Sequence, residues 1–204
     1  MIKNVLFDLG GVLLNIDVLR TFAAFEALGF QHTEELFSQK AVRQLFLDLE
    51  TGSIAPEAFY FELGRAAPES VSEAALQTAW NSMLLSYRKA SIQFLKPLAA
   101  RYRLYLLSNT NAIHQAAFSS MLKEEMGTDS LDAFFIRAFY SHQIGLRKPE
   151  IEIYEFVLNA AGISASETLF IDDTEANLPN AEKLGIHTHL LLPNERIEHL
   201  EVWH

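Results

Sequence analysis

The sequence predicts an α/β fold in which a Rossmann-like parallel sheet carries helices on both faces and an all-helical segment is inserted after the first strand. Three observations predict it. Short, nearly continuous apolar runs recur at residues 2–7, 104–107, 136–140, 169–171 and 187–192. From residue 90 onward these runs alternate with stretches of helical period, and such alternation with fully apolar strands marks a parallel sheet buried on both sides. Between residues 16 and 88 only helical periods are found. The expected organisation is a discontinuous core, residues 1–15 and 89–204, with a helical cap over 16–88.

Residues 2–7 form the first strand, which ends at Asp8 and the turn Gly10-Gly11. Val18, Phe22, Phe25 and Gly29 then lie on one helix face, with Asp17 placed to cap it. Pro56 opens a second helix with Phe59, Tyr60 and Leu63 inward. Ser70 and Glu73 form a capping box for a third, with Leu76, Ala79, Trp80, Met83 and Leu84 on one face. The core resumes with a helix at 90–101, the strand Leu104–Leu107 ending at Ser108-Asn109, and a helix at 111–125. The strand Ile136–Tyr140, a helix at 149–161 and the strand Leu169–Ile171 ending at Asp172-Asp173 come next. A helix at 175–184 and the strand His187–Leu192 close the pattern.

Right-handed crossovers place the C-terminal ends of parallel strands on one edge, where α/β sheets bind ligands. Asp8, Ser108, Asn109, Asp172 and Asp173 all fall there, with the helical segment above them as a lid.

Composition narrows the function. A net charge of −10 and 21% charged residues describe a globular chain whose surface repels nucleic acid and anionic membrane. A small phosphorylated molecule remains an acceptable partner, because a local lysine and a bound cation outweigh the global field. The absence of cysteine rules out disulfides, thiol catalysis and Cys-ligated zinc. No apolar run is long enough to span a bilayer, and the N-terminus does not read as a secretory leader, so the cytoplasm is the expected compartment. Neither monomer nor homodimer is indicated.

Four motifs occur in order: Val5-Leu6-Phe7-Asp8-Leu9-Gly10-Gly11, Leu106-Leu107-Ser108-Asn109-Thr110, Arg147-Lys148-Pro149, and Phe170-Ile171-Asp172-Asp173 continuing through Asn177, Ala181 and Gly185. Together they resemble the haloacid dehalogenase superfamily, in its branch with a helical cap after the first motif. Asp-Leu-Gly, Ser-Asn-Thr-Asn and Gly-Leu-Arg-Lys-Pro look most like its glucose-1-phosphate phosphatase-like group. The resemblance covers nearly the whole chain and implies a Mg²⁺-dependent phosphomonoester hydrolase acting on hexose 1-phosphates or other sugar phosphates.

The residue chemistry is consistent with that expectation. A carboxylate can attack phosphorus and split one displacement into two easier ones, which makes Asp8 the expected nucleophile. Anion meeting anion needs positive charge. Mg²⁺ would be held by Asp8, Asp172, the Gly10 carbonyl and Asp173, the last directly or through water. Lys148 would neutralise a phosphoryl oxygen, and Ser108 and Asn109 would bind the others. Asn177, Ala181 and Gly185 read as helix packing and a C-cap. His114 and His142 read as packed or exposed histidines, and Glu50-Thr51-Gly52 as a loop between cap helices that either faces the substrate or is an ordinary turn.

One position departs from the superfamily pattern. The common general acid two residues after the nucleophile is here Gly10, which cannot move a proton. General acid–base help is worth roughly 10²–10⁴ in rate. Three accounts follow: a good leaving group, a substitute such as Asp17, or a slow or non-enzymatic phospho-ligand-binding protein. Carbon–halogen hydrolysis also uses an aspartate nucleophile in this superfamily, but it needs no metal, against which the Asp172-Asp173 pair argues.

Overall fold

The computed structural model describes residues 1–38, 40–68, 71–128 and 130–203. In chain order, β1 (Asn4–Phe7) and β2 (Leu14–Ile16) precede α1 (Val18–Ala27), α2 (Thr33–Ser38), α3 (Lys40–Glu50), α4 (Pro56–Arg65) and α5 (Glu73–Asn81). Then follow β3 (Leu84–Tyr87), α6 (Lys89–Ala99), β4 (Arg103–Ser108), α7 (Ala112–Met126), β5 (Arg137–Tyr140) and α8 (Ser141–Ile144). The chain continues with α9 (Ile151–Ala161), β6 (Thr168–Asp172), α10 (Leu178–Lys183) and β7 (His187–Leu190).

Five strands form one parallel sheet in the order β5-β4-β1-β6-β7. Strand side chains alternate between its faces. Val5, Phe7, Leu104, Leu106 and Ile171 pack against Ile92 and Leu95 of α6 and Phe118 and Leu122 of α7. On the opposite face, Leu6, Leu107 and Phe170 pack against Ile153, Tyr154 and Val157 of α9 and Ala181 of α10. Both faces being covered explains why the strands read as unbroken apolar runs rather than alternating ones.

Helices α1 to α5, inserted between β1 and β4, gather around their own aromatic cluster. Phe25, Phe37 and Phe59 are buried, and Phe25–Phe30 and Phe25–Phe37 meet edge-on at 5.1 and 5.2 Å between ring centroids. Phe59, Tyr60 and Leu63 face inward as the spacing predicts. Val18, placed on the buried face of the first helix by its period, is 46% exposed, because it sits at the start of α1 where the chain leaves the core.

The expectation of helix alone between 16 and 88 does not hold. Leu14–Ile16 and Leu84–Tyr87 pair antiparallel, with Leu14 opposite Tyr87. The two segments that carry the chain out of the core and back lie side by side, so each satisfies the other's backbone polar groups. Leu84 fits a helix face by period but belongs to β3; α5 ends at Asn81, with Ser82 as its C-cap. Ser70, assigned to a capping box, lies outside the described residues. The N-cap of α5 is Ser72, whose side chain accepts from the Ala75 N–H. The segment expected as a helix from 149 begins at Ile151, and α8 before it closes on Gly145. Residues 175–177 form a 3₁₀ turn ahead of α10, and β7 ends at Leu190. Among the described residues, no helix is long and apolar enough to cross a membrane.

Candidate active site

β1 lies between β4 and β6, and Phe7 pairs with both Leu106 and Ile171. Asp8 and Asp172 are each one residue further along adjacent strands, so their carboxylates leave the sheet at one level. The Asp8 N–H donates to the Ile171 carbonyl at 2.9 Å, carrying the ladder up to the site.

Lys148 comes to this point from the loop after α8. It is 1% exposed, and its ammonium lies 2.8 Å from Asp8 Oδ1 and 2.6 Å from Asp172 Oδ2. The Phe170 ring lies 5.4 Å from the same ammonium. Its main chain is gripped by Asn109, whose Oδ1 accepts the Lys148 N–H and whose Nδ2 donates to the Lys148 carbonyl, both at 2.9 Å. The amide expected on a phosphoryl oxygen is therefore engaged in positioning Lys148. Ser108 ends β4 and is 3% exposed; Asn109 lines the cleft with Asp8 and Lys148, and Ser108 does not. The loop after them is fixed by Ser141, whose hydroxyl accepts the Thr110 N–H at 2.9 Å and donates to its carbonyl at 2.8 Å.

Asp172 is fully buried, and its carboxylate meets several donors. Besides Lys148, the Thr174 N–H donates to Oδ1 at 2.8 Å, and Asn177 Nδ2 lies 3.0 Å from both oxygens. Asn177 is thus tied to the site chemistry, against its reading as helix packing. The signal was present: an amide on the first turn after an acidic strand end. Asp173 is the exposed carboxylate. A Cβ on Gly11 would come within 1.8 Å of Asp173 Oδ2, and Gly11 has φ +66°, so the turn after β1 admits only glycine there.

Oxygens of Asp8, Asp172 and Asp173 lie within 4.8 Å of one another. Three carboxylates against one ammonium leave a formal charge of −2. The crowding shifts the groups from their ordinary values. Burial, with Asp172 and Asp173 adding, pushes Asp8 up to about 7 even though Lys148 opposes it. Desolvation against the protein and the charge of Asp172 raise Asp173 as well. Burial pulls Lys148 down, but Asp8 and Asp172 outweigh it and hold it above its ordinary value. Three carboxylates that converge on one point form a donor set that suits a hard divalent cation.

Asp8, Lys148 and Asp173 line a cleft of about 370 Å³ that also includes Gly10, Ile16, Arg147 and Thr174, with Asp172 buried beneath it. Gly10 faces Ile16: a Cβ at Gly10 would lie 3.1 Å from Ile16 Cδ1. Asp17, the suggested substitute acid, does not line the cleft. Its side chain accepts from the Leu19 N–H and lies 3.7 Å from Arg20, so it serves as the N-cap of α1.

The helical segment reaches this edge at two places. Arg147 Nε donates to Glu50 Oε1 at 2.7 Å, and beside it Gly52 lies so close to the His142 carbonyl that a Cβ would approach within 2.1 Å. Farther along, Trp80 stacks on His114 with centroids 5.1 Å apart, and His114 Nε2 lies 3.1 Å from the Trp80 carbonyl. The Glu50-Thr51-Gly52 loop therefore docks against the core next to the cleft.

This geometry agrees with the relatives of the chain. A family model described as haloacid dehalogenase-like hydrolase matches residues 2–185, and the chain belongs to that family. It is similar to a D-ribitol-5-phosphate phosphatase of Bacteroides thetaiotaomicron, 29% identical over 190 residues, 92% of this chain and 91% of that protein. A sesquiterpene phosphatase of Aspergillus oryzae is 28% identical over 186 residues, 90% of this chain and 87% of that protein. Among solved structures, a HAD family enzyme from Bacteroides thetaiotaomicron in complex with magnesium and inorganic phosphate superimposes with a TM-score of 0.88 at 36% identity, covering 98% of this chain and 100% of that one.

Proposed function

We propose that this protein is a Mg²⁺-dependent phosphatase of small phosphorylated metabolites, working through an aspartyl phosphate on Asp8. The observation that carries the reading is the buried Lys148 ammonium held between Asp8 and Asp172 at the ends of adjacent parallel strands. The phosphatase names of the two sequence relatives, and the magnesium and phosphate of the similar structure, support it.

Bound Mg²⁺, held by Asp8, Asp172, the Gly10 carbonyl and Asp173 directly or through water, would supply the charge that lets carboxylate and phosphate approach. Asp8 then attacks phosphorus while the ester P–O bond breaks and the alkoxide leaves. Lys148 neutralises a phosphoryl oxygen as charge shifts onto it. Asn109 keeps Lys148 in register with Asp8. Water next attacks the phosphorus of the aspartyl phosphate, releasing inorganic phosphate and restoring Asp8. With glycine at position 10 and Asp17 capping α1, the proton for the leaving oxygen comes from solvent or from the substrate itself. That favours substrates whose alcohol leaves with little help. Hexose 1-phosphates fit this requirement, and sugar-alcohol phosphates are put forward by the ribitol phosphatase relative. The residues at 16–88 act as the cap over the cleft. A cluster of three carboxylates counts against the halogen-hydrolysing alternative, which needs no metal.

The test is phosphate release from sugar 1-phosphates, sugar 5- and 6-phosphates, alditol phosphates, nucleotides and p-nitrophenyl phosphate, with Mg²⁺ and with chelator. Release that requires Mg²⁺ is expected; release unaffected by chelation, or none from any ester, overturns the proposal.

A further inference from the structure

Lys148 gives two of its three donors to Asp8 and Asp172, and Arg147 is the one other cation among the described residues that line the cleft. An arginine beside a phosphoryl site would ordinarily draw a second anionic group on the substrate. Here its Nε is bound to Glu50, which the helical segment supplies from the end of α3. Arg147 and Glu50 are each only 26% exposed at the side chain, so their attraction is less screened than that of a surface pair. Among the described residues neither Nη of Arg147 has a protein partner, so the guanidinium keeps donors but little net charge.

Building on the phosphatase reading, we infer that Arg147, neutralised and aimed by Glu50, is a specificity-determining residue that restricts the substrate to monophosphates of uncharged, hydroxylated alcohols. The Nη donors suit hydroxyl oxygens. A second phosphate or a carboxylate would meet an arginine whose charge is already balanced. A cleft of about 370 Å³ suits a small molecule of this kind. The selecting pair spans the junction between core and cap, so the choice of substrate depends on the cap residue as much as on the core one.

The experiment compares kcat/KM for a hexose monophosphate with that for the matching hexose bisphosphate, in the wild type and in Glu50→Gln. Wild type is expected to favour the monophosphate strongly. Glu50→Gln, which unmasks the Arg147 charge, is expected to shift the ratio toward the bisphosphate by about tenfold. The ratio is independent of how much folded protein a preparation contains, and Arg147→Met, which removes the donors, is expected to raise KM for the monophosphate without that shift. Comparable wild-type rates on both esters overturn the inference, as does a ratio unchanged in Glu50→Gln. p-Nitrophenyl phosphate separates the two levels: its hydrolysis by wild type with an unselective sugar ratio sinks only this inference, whereas no hydrolysis of any ester sinks the phosphatase reading and this inference with it.

Discussion

The strand-end edge and the helical segment above it meet at one cleft but are built in opposite ways. At the strand ends Asp8, Lys148 and Asp172 are buried with assigned partners, beside the exposed Asp173: Lys148 between two carboxylates, Asp172 among three kinds of donor, Asn109 on the main chain of Lys148. The helical segment meets the core at the Glu50–Arg147 pair, at Gly52 on His142, and where Trp80 stacks on His114 and Ile113 of α7 joins the aromatic cluster. Groups that handle phosphorus tolerate little displacement, since misplacement is costly in rate. Groups that read the rest of a substrate can differ between relatives without disturbing the chemistry.

The contrast can be broken at the edge first. Lys148→Met leaves Asp8 and Asp172 facing each other unpaired. It is expected to abolish turnover and to lower stability by about 3–5 kcal/mol, read by denaturant unfolding. Mg²⁺ should raise Tm more in this variant than in wild type, because it replaces the lost cation; an equal rise would count against a shared site. Asn177→Ala removes a donor to both oxygens of a buried carboxylate, and about 1.5–3 kcal/mol with a fall in kcat is expected. Unchanged kcat would return Asn177 to simple packing.

The joint between the two regions has its own signature in pH. Asn111 Oδ1 accepts the His114 N–H as the cap of α7, which turns Nδ2 toward His114 Nδ1. Nδ1 must therefore accept, and Nε2–H donates to the Trp80 carbonyl. Burial lowers His114 from its ordinary 6.5 to about 4, with the Trp80 hydrogen bond opposing. Below pH 6.5 the unfolded chain takes up a proton that the folded one refuses. This contribution is complete above 6.5 and is lost as pH falls toward 4, up to roughly 3 kcal/mol. His114→Gln should flatten that part of the stability–pH curve; a curve unchanged in the variant would show that His114 is not its source. The smallest effect is expected from Asp17→Ala, about 0.5–2 kcal/mol of stability from the lost cap with kcat nearly unchanged. A large fall in kcat would instead make Asp17 the missing acid.

The same contrast governs what the sequence makes legible. Strands buried on both faces write themselves as apolar runs, and their ends are marked by Asp8, Ser108-Asn109 and Asp172-Asp173. The edge of the sheet could thus be placed from residue types alone. β2 and β3 could not, because three- and four-residue strands carry no period and their partners lie about seventy residues apart. Asn177 looked like packing because its target, Asp172, is identified only when the chain turns back on the strand end. The pairing of Arg147 with Glu50 joins two segments nearly a hundred residues apart, and nothing local in either one announces the other.

The central claim is that Asp8 carries the phosphoryl group. The most direct measurement is rapid acid quench of the Mg²⁺-loaded enzyme during turnover, followed by mass spectrometry of the peptide that contains Asp8. One added phosphoryl group on Asp8, absent from Asp8→Asn together with turnover, is the predicted result. Turnover that persists in Asp8→Asn, or a phosphoryl group found on another residue, would contradict the account.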